Sequence, residues 1–66
     1  MFTFTTTAYN QQGEVLETET QFDSWEATEI CLGISQDYGY AETLDQWGKH
    51  YGEYGHRPSA LGERVF

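Results

Sequence analysis

Two short runs with the same turn chemistry do most to limit the fold. Asn10-Gln11-Gln12-Gly13 and Asp45-Gln46-Trp47-Gly48 each open with a side chain that can cap its own turn and close with a glycine able to turn left-handed. The first run separates two alternating segments. Phe2 to Tyr9 is rich in β-branched and aromatic residues, with Phe2, Phe4 and Ala8 on one side and Thr3, Thr5, Thr7 and Tyr9 on the other. Glu14 to Phe22 alternates again, setting Leu16, Thr18, Thr20 and Phe22 against Val15, Glu17, Glu19 and Gln21. Residues 1–22 are therefore expected to form a hairpin whose Phe2, Phe4, Leu16 and Phe22 side points inward.

A helix is expected over residues 23–38. Asp23 is a good N-cap, Glu26 stands where a capping box needs it, and both complement the positive end of the helix dipole. Ala27, Ile30, Cys31, Ile34 and Tyr38 follow helical spacing as an apolar stripe opposite Glu26, Glu29, Gly33 and Gln36, and Gly39 is placed to end the helix. Residues 40–54 admit two readings. The turn at Asp45 to Gly48 favours a second hairpin. The spacing of Tyr40, Leu44, Trp47 and Tyr51 fits a second helix instead, against which Gly48 and Gly52 each weigh about 1 kcal/mol. With the hairpin preferred, the order is ββαββ. The fold class is then α+β, one domain over residues 1–66 with the helix on one face of an antiparallel sheet. Residues 57–66, after His56, form a tail or an edge strand.

Size limits chemistry. A chain of 66 residues buries only roughly 60% of its unfolded surface, so its core is thin and a shaped catalytic pocket is hard to build. Its 11 aromatic residues argue against disorder, which acidic segments poor in aromatics adopt. Cys31, the single cysteine, falls in the helix stripe and reads as a core thiol in a reducing cytoplasm. No run approaches the roughly 18 apolar residues of a membrane span, and MFTFTTTAYN lacks the features of a signal peptide. His50 and His56, with Glu53 between them, fall short of a metal site, which needs three or four converging ligands. No phosphate loop, calcium loop or nucleophile elbow is present. The expectation is a protein without catalysis, cofactor or metal.

Charge is the feature that stands out. The net charge is −8, and residues 1–48 contain no Lys or Arg. That stretch holds Glu14, Glu17, Glu19, Asp23, Glu26, Glu29, Asp37, Glu42 and Asp45. Glu17 and Glu19 share a strand face about 6.6 Å apart, and Glu26 and Glu29 are neighbours on the helix. Folding alone would intersperse both signs. Direct binding to nucleic acid is disfavoured, because it rests on Lys and Arg neutralising phosphates. A concentrated negative field instead attracts cationic partners. Carboxylates can fill a nucleic-acid channel as phosphates would, meeting its Lys and Arg with charge-assisted hydrogen bonds.

In size, in its Glu14-to-Asp45 carboxylate series and in its hairpin–helix order, the chain resembles the small acidic phage proteins that block bacterial defence, the anti-CRISPR and anti-restriction inhibitors. These families share no diagnostic motif, so the resemblance transfers no residue role. It implies a protein of the host cytoplasm that binds a basic nucleic-acid-binding subunit of a CRISPR effector complex and excludes target DNA. The nine carboxylates named above, with Trp47 and Tyr51 as apolar anchors beside the basic stretch from Lys49 to Arg64, are the expected partner-binding residues. The alternative is a non-catalytic interaction module, dimerising through a sheet edge or a tyrosine patch.

Overall fold

The computed structural model describes residues 2–64. Its elements are β1 (Phe4–Tyr9), β2 (Val15–Gln21), α1 (Ser24–Tyr38), β3 (Tyr40–Asp45) and β4 (His50–Gly55), followed by a single 3₁₀ turn at Ser59–Leu61. All neighbouring strands are antiparallel, in the order β2-β1-β3-β4. This is the α+β, ββαββ architecture that the patterning suggests, with a hairpin rather than a helix over the second half. No helix among the described residues is long and apolar enough to cross a membrane.

The two turns explain why both hairpins form. Asn10 Oδ1 accepts the amides of Gln12 at 3.0 Å and Glu14 at 2.9 Å. Asp45 Oδ1 accepts those of Trp47 at 2.9 Å and Lys49 at 3.0 Å. Gly13 and Gly48 complete them at φ 83° and 78°, where a Cβ would be strained. The likeness extends beyond the turns. Each hairpin carries one register shift at the same distance from its turn, leaving Leu16 without a partner in β2 and Tyr51 without one in β4. β1 and β3 pair so that Thr7 lies opposite Glu42, its own counterpart, which relates the hairpins by an approximate two-fold axis through the sheet.

The helix begins and ends where its cap chemistry says. Asp23 accepts the Trp25 amide at 3.2 Å, and Gly39, at φ 93°, donates to the Ser35 carbonyl at 2.7 Å. Small residues let α1 lie close over the central strands. Ala8, Ala27 and Ala41 are fully buried, and Cys31 and Ile34 complete the core with Ile30 at its margin. The Thr6 and Thr43 hydroxyls share a 2.7 Å hydrogen bond under the helix, satisfying two buried polar groups at once. Tyr38 sits at the end of the stripe and stays exposed.

The inward face of the first hairpin differs from expectation. Phe4 and Ala8 do lie on the helix side, but Leu16 is 44% exposed, and Phe2 and Phe22 are 60% and 63% exposed. On β2 the residues opposite Phe4, Thr6 and Ala8 are Gln21, Glu19 and Glu17. The cause is the extra residue at Leu16. Simple alternation from Tyr9–Val15 would pair Ala8 with Leu16, whereas the bulge pairs Ala8 with Glu17 and reverses the phase of the rest of β2. Glu17 and Glu19 are thereby brought to the side that carries the helix.

Beyond β4 the chain turns back over the opposite face of the sheet. Gly55 makes this possible, since a Cβ there would stand 2.2 Å from the Gly39 oxygen. His56 then donates its amide to that same carbonyl at 3.2 Å. Pro58 is buried, and Ala60 and Leu61 come up against Gly13 in the first turn. Residues 56–64 thus act as a strap from the β4 edge to the β1–β2 turn.

Candidate functional site

The reversed phase of β2 creates the most distinctive surface of the molecule. Glu17 and Glu19 from β2 and Glu26, Glu29 and Asp37 from α1 line one open groove, with Ile30, Gly33 and Ile34 between them. Helical spacing puts Glu26, Ile30, Gly33 and Asp37 on the flank of α1 that overlooks β2. Asp37 joins the group from this flank, whereas the outward stripe expected from the sequence ran through Glu26, Glu29, Gly33 and Gln36. Among the described residues the ion pairs are His50–Glu53, Arg57–Glu42 and Arg64–Glu53, and none reaches the groove. Among the described residues, none of these five carboxylates has an ion-pair partner.

The other four acids of the first 48 residues have local tasks. Glu14 accepts a 2.8 Å bond from the Asn10 amide nitrogen, bracing the first turn. Asp23 caps α1 and Asp45 builds the second turn. Glu42 is different in kind. It is 7% exposed on the face away from the helix, where Arg57 Nη1 donates to it at 2.8 Å, so a partner has little access to it.

The strap supplies the cations for that second face. Arg57 donates also to the Tyr40 hydroxyl at 2.7 Å and to the Gly62 carbonyl at 2.9 Å. Arg64 makes a two-pronged contact with Glu53, which also meets the His50 ring at 2.9 Å. Burial, together with the negative charge of Glu42 and Glu53, pushes the Tyr40 phenol up to about 12 despite the opposing Arg57 bond. The Arg64 contact holds the Glu53 carboxyl below its usual range. Sequence reasoning missed this network. Its available signal was the confinement of Lys49, Arg57 and Arg64 to the last third of the chain, of which Arg57 pairs with Glu42 and Arg64 with Glu53 while Lys49 stays exposed on the second turn.

Trp47 and Tyr51 are apart from the groove. Trp47 is 65% exposed on the second turn with its ring 5.9 Å from Phe2, and Tyr51 packs 4.8 Å from Phe4. They form an aromatic end to the sheet. Between α1 and β4 lies a further hollow, lined by Thr28, Cys31, Thr43 and Tyr51 among others. Cys31 is buried there, its thiol donating to the Ala41 carbonyl at 3.4 Å, and burial pushes its pKa up, so it is a poor nucleophile. Among the described residues no three His, Cys, Asp or Glu side chains come together as a metal site would require.

Comparison with protein families, curated proteins and solved structures returns no match to this chain.

Proposed function

We propose that the chain is an acidic inhibitor that occupies the basic nucleic-acid-binding surface of a host defence complex, in the manner of anti-CRISPR proteins, and so keeps target DNA out. It acts in the host cytoplasm, by contact alone. The observation that supports this is the groove, where Glu17, Glu19, Glu26, Glu29 and Asp37 converge without an ion-pair partner among the described residues. Like charges held together cost stability in a small domain, and a cationic partner relieves that cost on binding. The carboxylates stand on a strand and a helix, so their spacing is set before the partner arrives.

The test is competition. Purified CRISPR effector complexes are loaded with labelled target DNA in the presence of the protein, at low and high salt. DNA exclusion that weakens as salt rises is the expected result. Reversing Glu17, Glu19, Glu26 and Glu29 to Lys abolishes exclusion and leaves the circular dichroism spectrum unchanged. Exclusion that survives all four reversals would refute the proposal.

The exposed aromatic end favours a second reading, a non-catalytic interaction or dimerisation module. Under it, Trp47→Ala or Tyr51→Ala disrupts assembly seen by sedimentation, and the acid reversals leave assembly intact.

A further inference from the structure

β2 is an outer strand of the sheet, and from Glu17 to Gln21 it pairs with β1 without irregularity. Its outer row of backbone N–H and C=O groups faces away from the sheet, which is the template that a further strand uses. The other outer strand, β4, is less suited to this. It is broken at Tyr51, contains Gly52 and Gly55, and is joined to the strap through Arg64–Glu53. One good edge is therefore open, and it is the edge that borders the acidic groove.

The charge pattern selects what can occupy it. A strand laid on β2 places every second side chain on the groove side, opposite Glu17 and Glu19, with cross-strand Cβ atoms about 5 Å apart. A second copy of this chain would bring Glu17 and Glu19 against their own equivalents, and like charges directly opposed are destabilising. Lys or Arg at alternate positions meets those carboxylates instead and extends toward Glu26, Glu29 and Asp37 across the groove. The aliphatic stems of such residues can rest on Ile30 and Ile34. The groove is open beside Gly33, where a Cβ would meet nothing within 4 Å. Intervening side chains fall on the side of Thr18 and Thr20, where β-branched residues pair well.

We propose that β2 is a docking edge for an extended cationic segment of the partner, which joins the sheet as an added strand with Lys or Arg at alternate positions over Glu17 and Glu19. This rests on the reading of the groove as a site for a cationic partner, and it adds the backbone geometry of the contact. Ladder hydrogen bonds hold the segment, and the carboxylates set its register.

A synthetic peptide of alternating lysine and threonine, labelled for fluorescence anisotropy, tests it. Two further peptides carry backbone N-methyl groups on alternate residues, one set in each phase. In an added strand only alternate amides point at β2, so one methylated peptide binds at least about tenfold more weakly and the other binds as the parent does. The Glu17→Lys, Glu19→Lys double variant loses the parent peptide. Equal binding by both methylated peptides would overturn strand addition while leaving charge-based capture standing. No binding of any of the peptides at low salt would overturn both.

Discussion

The two sides of the sheet treat the same residue type in opposite ways. On the strap side Glu42 and Glu53 are each met by an arginine and drawn into a shared network with Tyr40 and His50. On the helix side five carboxylates gather along a groove, none with an ion-pair partner among the described residues. The chain has only three Lys and Arg residues, and the structure places Arg57 and Arg64 on the strap side. Net charge alone does not show this. It is the partition of the cations that ties one face into a paired network and leaves the carboxylates of the other unpaired among the described residues.

The sharpest way to break this contrast is to remove the strap's central cation. Arg57→Ala leaves Glu42 buried without its partner, and the expected loss is roughly 3 kcal/mol, a large fraction of what a domain this small can hold. Urea unfolding monitored by far-ultraviolet circular dichroism reads it directly. The same substitution made with Glu42→Gln should be much milder, because no unpaired charge remains. A loss for Arg57→Ala no greater than for a surface residue would show that the network is not structural.

Alkaline titration comes next in size. The Tyr40 phenol, at about 12 in the fold and near 10 in the unfolded chain, keeps its proton longer when folded. Between those values the unfolded state binds fewer protons, so the Tyr40 contribution to stability is intact below pH 10 and falls as pH rises toward 12, by on the order of 2 kcal/mol. Tyr40→Phe removes this dependence. Glu53 works in the other direction. Its lowered pKa contributes stability above the ordinary carboxylate range that is lost as acid protonates the folded form.

The smallest effect is expected in the groove. Glu17→Gln with Glu19→Gln should change stability by less than about 0.5 kcal/mol, and in the stabilising direction, since it removes repulsion and no hydrogen bond. Thermal melts of this variant beside Arg57→Ala sharpen the contrast. A clear destabilisation by the groove variant would mean that these acids support the fold.

What could be read from the chain follows the range of the interactions involved. Both turns and both helix caps were legible, because Asn10, Asp45, Asp23 and Gly39 act on backbone groups within a few residues. The facing of β2 was not. Alternation counts every residue, and nothing in Val15-Leu16-Glu17 announces that Leu16 stands outside the count. Glu17, Glu19, Glu26 and Glu29 were recognised as unrelieved like charges, but their meeting with Asp37 depended on that missed bulge. Glu42 looked like its neighbours in composition, and only a contact with Arg57, far along the chain, separates it from them.

The paired hairpins also bear on the order in which the molecule assembles. Each closes on its own turn, a local event of about 1–10 μs that waits for no distant segment. What has to be brought from afar is the seam between β1 and β3, with α1 laid across it. Refolding is then the docking of two ready-made ribbons. Weakening either turn should slow it by nearly the full stability cost, a proportionality that chevron kinetics on Asn10→Ala would reveal.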